Sequence, residues 1–442
     1  MQLEANREQP TTSASPRQAA TEWNGGKVAL LATFVLLFLG QLALGYAGVA
    51  TGGGIERYIR ERADLRAVLT GGLTIHEGMG HLLYDEETER IVQRRVLAPY
   101  SFDNPESVLP NSHPPFESLF VAPLMDLPYA VPFGLWTAVE VGAFFAALWF
   151  LVQAAPVHGP TRWLLFAGAV AYHPFHLVLW TGQSSPLILL GVCGLYAALQ
   201  RRQVWWAGVG VALILLKPQL AVAIVLILLV YRQWQPLAAA AGIWTAATIA
   251  IMPIIGADWP LRYARYLASS ADWGPEHFEY TKGMYNWRGF AQNLLGGDFP
   301  DLVSPLTVLL TLATIGLLFW AWWRSSKVRW SANQPISDAV WALAGVATVL
   351  IPQHLYPHDL SLLIFPAWLI LAAVTNGRWA VSAAGGWIAL VALGFALPLF
   401  NFAFATHTAQ AILPTTSYLI VVLGALSWRI TREKVSSTPT NA

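Results

Sequence analysis

The sequence predicts an all-α, polytopic integral membrane protein. Hydrophobic residues make up 55% of the 442 positions and charged residues only 12%, about half the charged fraction of an ordinary soluble domain. The chain also contains 21 Trp and 28 Pro, which is typical of membrane helices with interfacial aromatic residues and proline breaks. This composition excludes a soluble enzyme and a disordered scaffold.

The charge balance and the cysteine content exclude further classes. The net charge is +1, so the chain has no basic surface of the kind that binds nucleic acid. A single cysteine, Cys193, excludes a disulfide framework and a cysteine-based metal site. The sequence contains no Walker A motif and no Rossmann glycine fingerprint, so we predict no nucleotide cofactor and no metal.

Twelve apolar segments are candidate membrane helices, since a helix needs about 20 apolar residues to cross the hydrocarbon core. The first could instead be a cleaved signal peptide, but its apolar stretch is too long for a usual signal core, so we interpret it as a retained helix. Two of the short segments, Val204–Leu216 and Gln219–Tyr231, could form one long helix kinked at Pro218. The twelve segments are Val28–Ala50, Tyr129–Val152, Trp163–Trp180, Pro186–Leu199, Val204–Leu216, Gln219–Tyr231, Pro236–Gly256, Leu302–Trp323, Asp338–Ile351, Leu360–Val374, Trp379–Phe400 and Ile412–Trp428.

The distribution of Lys and Arg predicts the orientation in the membrane. With the N-terminus in the cytoplasm, the inner loops and the C-terminal tail contain eleven basic residues, whereas the short outer loops contain only Lys217. Merging Val204–Tyr231 into one span would move six of the eleven outside, so the rule that inner loops are positive favours twelve spans. We therefore predict a disordered cytoplasmic tail over residues 1–27, a membrane domain over 28–428 with outer loops at 51–128 and 257–301, and a cytoplasmic tail over 429–442.

The first outer loop has helical periodicity. Apolar residues recur between Ile55 and Leu69 among four arginines, a pattern that predicts a helix lying in the membrane interface. Glu86–Val96 is a weaker second candidate. Between them, the segment His76–His81 resembles the H-E-x-x-H zinc motif but has one residue too many, so its two histidines cannot share a helical face.

Polar residues gather at the predicted outer ends of the helices. Lys217 is the most informative, because a lysine among apolar residues must be paired, reach the headgroups or bind an anion. His354 and His358 have the spacing of a metal pair, but Pro357 between them makes a regular helix unfavourable. The candidate site residues are Asp64, His113, Gln183, Lys217, Asn286, His354, His358 and Asp359.

Several short motifs in this region resemble glycosyltransferase family 87, a family of polyprenol-phosphate-sugar-dependent enzymes within the GT-C superfamily. They are Ala63-Asp64-Leu65 with Gly78 and Leu83-Tyr84-Asp85; His113-Pro114-Pro115-Phe116 with Ala122-Pro123-Leu124 and Leu127-Pro128; Gly182-Gln183 with Pro186-Leu187; and Leu216-Lys217-Pro218. The motifs cover most of residues 60–300, and His113 stands where the family usually has an aromatic residue. The resemblance implies a GT-C-like bundle in the cytoplasmic (inner) membrane. It also implies a polyprenyl-phosphate sugar donor, commonly of mannose, a glycolipid or glycan acceptor, and an active site on the extracytoplasmic face.

The resemblance also gives Asp64 the role of catalytic base, since in this superfamily an acidic residue of the first outer loop takes that role. The chemistry agrees, because a polyprenyl phosphate leaves as a stabilised anion and needs fixed positive charge rather than a general acid. One carboxylate on the acceptor side gives a single displacement with inversion. We expect Lys217, His354 and His358 to hold the donor phosphate, and His113, Gln183, Asn286 and Asp359 to contact the sugar or the acceptor.

Two other functional classes are compatible with a polytopic chain. A transporter or lipid flippase predicts polar residues through the depth of the bilayer and repeated halves with broken helices. A non-catalytic membrane scaffold leaves Lys217 and the polar loops unexplained. The polar residues here gather on one face and no internal repeat is visible, so an inverting glycosyltransferase is the preferred interpretation.

Overall fold

The computed structural model describes residues 23–61, 63–100, 108–269, 283–325, 336–404 and 412–432, and these residues form helices without a β-strand. The predicted terminal tails lie mostly outside this part of the chain, as do Lys327 and Arg329 of one predicted inner loop. The helices are α1 (Gly25–Thr51), α2 (Ile55–Glu61), α3 (Leu65–His76), α4 (Glu86–Leu97), α5 (Phe116–Val121), α6 (Ala130–Ala154), α7 (Pro160–Ala171), α8 (His173–Thr181), α9 (Ser185–Gln200), α10 (Val204–Ile214), α11 (Pro218–Val230), α12 (Trp234–Ile255), α13 (Trp259–Ser269), α14 (Trp287–Leu295), α15 (Val303–Ser325), α16 (Asp338–Leu350), α17 (Ile364–Thr375), α18 (Val381–Phe404) and α19 (Ile412–Arg432), with short 3₁₀ turns at Gly80–Leu82, Ala122–Leu124, Pro300–Leu302 and Pro357–Leu363.

The predicted class, an all-α polytopic membrane protein, is confirmed. In the described residues six helices are long and apolar enough to cross a membrane, and the bent pair α7–α8 makes a seventh candidate. The remaining predicted spans correspond to the shorter apolar helices α9, α10, α11 and α16 and to α19. At 1.5 Å per residue, the 11-residue helix α10 is about 16 Å long, short of the roughly 30 Å hydrocarbon core. The count of twelve complete crossings therefore stays a prediction.

One predicted helix is broken in the structure, and a second predicted break is present. The segment Trp163–Trp180, predicted as one span, consists of α7 and α8 bent by 43°, because Pro174 has no amide hydrogen to continue the ladder. The stretch Val204–Tyr231 is two helices, as the preferred interpretation of the sequence predicts, and α11 begins at Pro218, where a proline is favourable in the first turn. Both breaks place polar residues inside the protein.

The main core includes the facing sides of α9, α16 and α17. Aromatic side chains of these three helices, Tyr196, Trp341 and Phe365, contact one another edge to face, and each is at most 1% exposed. A buried position of this kind explains why α16 is apolar on all sides.

The segment between α1 and α6, predicted as the first outer loop, is a folded layer rather than a single surface helix. The predicted interfacial helix is interrupted after α2, and α3 is buried along most of its length against α4 and α5. The second candidate, Glu86–Val96, is a helix, α4, and its place in the membrane interface stays a prediction. Burying α3 fixes the position of the residue that precedes it, Asp64.

Candidate active site

A cavity of about 770 Å³ lies where the segment between α1 and α6 meets the ends of the broken helices. This volume falls within the range of small-molecule sites. Seven of the eight candidate residues predicted from the sequence line it: Asp64, His113, Gln183, Lys217, His354, His358 and Asp359. The sequence separates these residues by up to about 300 positions, so only the fold brings them together.

Asp64 stands immediately before α3 with its carboxylate turned into the cavity. An aspartate in this position usually caps the helix, but Asp64 makes no side-chain cap hydrogen bond. Its Oδ2 instead accepts a hydrogen bond of 2.9 Å from Gln183 Nε2 and lies 3.9 Å from His358 Nδ1. The side chain remains 32% exposed, so a substrate can reach it.

Gln183 follows a left-handed turn at the end of α8. Gly182 has φ +71, and a Cβ there would lie 2.8 Å from Leu65 Cβ, so this position requires glycine. The carbonyl of Gly182 also accepts a hydrogen bond from Trp136 Nε1 at 3.0 Å. The turn therefore sets the position of Gln183 against the start of α3.

Lys217 is 3% exposed and forms a buried ion pair with Asp359, with 2.9 Å between Nζ and Oδ1. Its ammonium also donates to Gln183 Oε1 at 2.9 Å and to Ser185 Oγ at 3.4 Å. Ser185 in turn donates to Asp359 Oδ1 at 2.6 Å. Burial of a lysine is tolerated when its charge is compensated in this way, so Lys217 does not extend to a headgroup.

The loop between α16 and α17 contributes two histidines. His358 lies between the two cavity carboxylates, with Nε2 3.4 Å from Asp359 Oδ2. Burial, together with the nearby charge of Arg288, lowers the pKa of His354 to about 4. His354 is therefore neutral at pH 7, and a contact between it and a phosphate would be a hydrogen bond rather than an ion pair.

His113, which also lines the cavity, is oriented by a buried carboxylate. His113 Nδ1 lies 2.8 Å from Glu117 Oε2, and Glu117 is 3% exposed. Burial by itself raises the pKa of Glu117, but the His113 and Lys217 charges outweigh it and leave the pKa below its usual value. Glu117 is thus an anion that fixes the His113 ring. The two residues are four positions apart in the sequence, a spacing that is compatible with a contact between their side chains.

The wall segment that contains His113 is attached to α4 and α13 through a second buried carboxylate. Glu89 accepts hydrogen bonds from the Asn111 amide and from the Tyr266 hydroxyl, both at 2.6 Å. Burial raises the pKa of Glu89 to about 7. The link between these three elements therefore contains a group that titrates near neutral pH.

Asn286 is the one predicted residue that does not reach the cavity. It is fully buried, caps α14 by accepting from the Gly289 amide at 2.9 Å, and donates to the carbonyl of Pro352 at 2.7 Å. Through these contacts the Asn286 side chain holds the loop that precedes His354. Asn286 therefore supports the loop beside the cavity and does not line the cavity itself.

Arg66 is a cavity residue that the sequence analysis missed. The amphipathic pattern assigned it to the polar face of an interfacial helix, whereas it is 8% exposed and lines the cavity two residues after Asp64. Its Nη1 donates to the carbonyl of Glu61 at 2.9 Å. Burial lowers the pKa of Arg66 to about 10, so the guanidinium stays charged at neutral pH.

Comparison with known proteins identifies the family. The sequence profile of glycosyltransferase family 87 matches residues 112–352, which is more than half of the chain. The chain belongs to glycosyltransferase family 87. The membrane glycosyltransferase described here is therefore an enzyme, which decides against the transporter and scaffold interpretations.

Two curated proteins similar to this family 87 enzyme are named polyprenol-phosphate-mannose-dependent alpha-(1-2)-phosphatidylinositol pentamannoside mannosyltransferases. The protein from Mycolicibacterium smegmatis is 24% identical over 341 residues, covering 74% of this chain and 78% of its own. The protein from Mycobacterium tuberculosis is 25% identical over 364 residues, covering 76% of each chain. No solved structure matches the chain.

Proposed function

We propose that this family 87 enzyme transfers mannose from a polyprenyl-phosphate-mannose donor to a hydroxyl of a glycolipid or glycan, with inversion, on the extracytoplasmic face of the inner membrane. The names of both curated relatives support the donor. The observation that carries the proposal is the exposed Asp64 carboxylate, held by Gln183 at the wall of the large cavity.

In the proposed reaction, Asp64 takes the proton from the acceptor hydroxyl. The acceptor oxygen forms a bond to the anomeric carbon, the bond from that carbon to the phosphate oxygen breaks, and its electron pair leaves with the polyprenyl phosphate. A positioned base of this kind accelerates a reaction by about 10²–10⁴-fold. An α-linked product would require a β-linked donor, because a single displacement inverts the anomeric centre.

The contacts of the second carboxylate support a single displacement. Of the described residues that line the cavity, only Asp64 and Asp359 are acidic. Asp359 accepts from Lys217 and Ser185 and is 5% exposed, so it is poorly placed to attack a sugar. A retaining mechanism with two free carboxylates is therefore disfavoured.

The donor phosphate is proposed to bind the side of the cavity that contains Arg66, His354 and His358. Arg66 supplies a positive charge at neutral pH, and its planar fork suits phosphate oxygens. The two histidines contribute N–H donors. Lys217 was expected to hold the phosphate too, but Gln183, Asp359 and Ser185 engage its three N–H groups, which leaves no donor for the phosphate. Developing charge on the leaving phosphate strengthens the Arg66 and histidine contacts in the transition state. His113 is left to face the sugar or the acceptor, and Asp359 and Asn286 support the adjoining loop.

The proposed orientation agrees with the course of the helices. α9 begins with Ser185, which contacts the cavity residues Lys217 and Asp359, and ends next to Arg201 and Arg202. α11 begins directly after Lys217 and ends next to Arg232. In each of these helices the first residues lie near the cavity and the last residues are followed by arginines. The arginine ends are expected in the cytoplasm.

The test is product formation by the purified protein in lipid nanodiscs. The protein is offered polyprenyl-phosphate-mannose and a panel of glycolipid acceptors, with polyprenyl-phosphate-glucose and GDP-mannose as matched donors. We expect a mannosylated product of inverted configuration from the first donor alone. Transfer from GDP-mannose, or a product that retains the donor configuration, would refute the proposal.

A further inference from the structure

We infer that Gln183 and Lys217 act as positioning residues for the base: Lys217 fixes the orientation of the Gln183 amide, so that this amide always presents a hydrogen-bond donor to Asp64. The inference rests on the proposed function, because it assumes that Asp64 is the base. It assigns to Lys217 and Gln183 a role other than direct contact with the phosphate and the sugar.

The orientation of the Gln183 amide follows from the chemistry of its two neighbours. A lysine ammonium can only donate hydrogen bonds, and an ionised carboxylate can only accept them. The amide lies between these two groups, with 2.9 Å from Lys217 Nζ to Oε1 and 2.9 Å from Nε2 to Asp64 Oδ2. The flipped amide would set an NH₂ group against the ammonium and an oxygen against the carboxylate, so only one orientation is compatible with both.

Lys217 is itself held in place by Asp359 and Ser185. The ammonium is 3% exposed, and its three contacts lie at 2.9, 2.9 and 3.4 Å. The Asp359 carboxylate at 2.9 Å balances the charge of the ammonium. Lys217 therefore acts mainly through hydrogen bonds to the groups that it contacts. The result is a continuous chain of contacts from Asp359 through Lys217 and Gln183 to Asp64.

This chain of contacts has two consequences for the base. The hydrogen bond from Gln183 holds Asp64 Oδ2, which leaves the other carboxylate oxygen for the acceptor hydroxyl. It also prevents the carboxylate from rotating back to cap α3, the position that an aspartate before a helix ordinarily takes. Loss of the hydrogen bond should therefore lower turnover while donor binding is unchanged.

The experiment compares steady-state kinetics of substituted full-length proteins in nanodiscs. Gln183→Met removes the amide, and Gln183→Glu retains its size and the contact with Lys217 but replaces the donor by an oxygen. The paired variant Lys217→Met/Asp359→Asn removes both buried charges together, because removal of one alone leaves the other uncompensated. The triple variant combines this pair with Gln183→Met, and thermal unfolding verifies that each protein is folded.

We expect Gln183→Met to lower kcat about 10- to 100-fold, the size of one hydrogen bond to a charged group, with the donor KM changed less than twofold. Gln183→Glu should lower kcat at least as much, since two carboxylates then face each other. The paired variant should also lower kcat, and the triple variant should be no slower than Gln183→Met, because residues that act through one contact are not additive.

Three results would overturn the inference. They are a raised donor KM with unchanged kcat in any of these variants, full turnover in Gln183→Glu, and multiplied losses in the triple variant. The first and third would instead indicate direct contacts with the donor. All three outcomes require an active wild-type enzyme, so they are distinguishable from failure of the proposed transfer reaction itself.

Discussion

Replacement of Asp64 by asparagine is the most direct test of the mechanism. The change is isosteric, and the amide oxygen of the asparagine can still accept the hydrogen bond that Gln183 Nε2 donates at 2.9 Å. The amide nitrogen then takes the place of the oxygen that faces the cavity, where the acceptor hydroxyl needs a base. Turnover is expected to fall by about 10²–10⁴-fold, equivalent to about 3–5 kcal/mol of transition-state stabilisation.

The assay measures mannose transfer at saturating donor and acceptor, and a donor-dependent thermal shift monitors binding. Asp126→Asn is the matched control, because the Asp126 side chain is 84% exposed in the same segment between α1 and α6. It should retain turnover within twofold. We expect the folding and donor binding of Asp64→Asn to match the wild type. Turnover of this variant within a few-fold of wild type would remove Asp64 from the mechanism.

Three further predictions concern the phosphate, pH and orientation. Arg66→Gln should raise the donor KM about tenfold or more, the size of one charge-assisted hydrogen bond; an unchanged donor KM in steady-state kinetics would contradict its contact with the phosphate. Because the pKa of Glu89 in the folded protein is about 7, above that of an unfolded glutamate, its contribution to stability is largest at acidic pH and is lost as pH rises through 7. Thermal unfolding between pH 5 and 8.5 should show a loss on the order of 3 kcal/mol in the wild type and a flatter profile in Glu89→Gln, whereas parallel profiles would assign the effect to another group. Reporters fused after Arg202 and Arg329 should lie in the cytoplasm and those in Asp258–Asp301 outside, and a cytoplasmic signal from the latter would reverse the proposed orientation.

The sequence alone was sufficient for the class of protein and for seven of the residues that line the cavity. Apolar segments predict the helices, because a bilayer requires every backbone group to be bonded within its own segment, and Pro218 marks one of the two breaks. Polar residues at the ends of such segments stand out against an apolar background. For this reason the sequence alone indicates Asp64, Gln183 and Lys217 as site residues.

The pairing of these residues was decided only by the tertiary structure. Lys217 binds Asp359, 142 positions later, and Gln183 binds Asp64, 119 positions earlier; no local pattern encodes such contacts. As a polar residue in a predicted outer loop, Asn286 was expected to bind the sugar. Its position at the start of a buried helix instead makes it a helix cap.

Arg66 is a second case in which the sequence could not predict the surroundings of a residue. Periodicity places it on a polar face, and the sequence cannot distinguish a polar face that meets the membrane surface from one that lines a cavity inside the protein. That distinction depends on what packs against the helix. For α3 it is decided by α4, α5 and the end of α8, which cover the helix and enclose the space in which the substrates are proposed to meet.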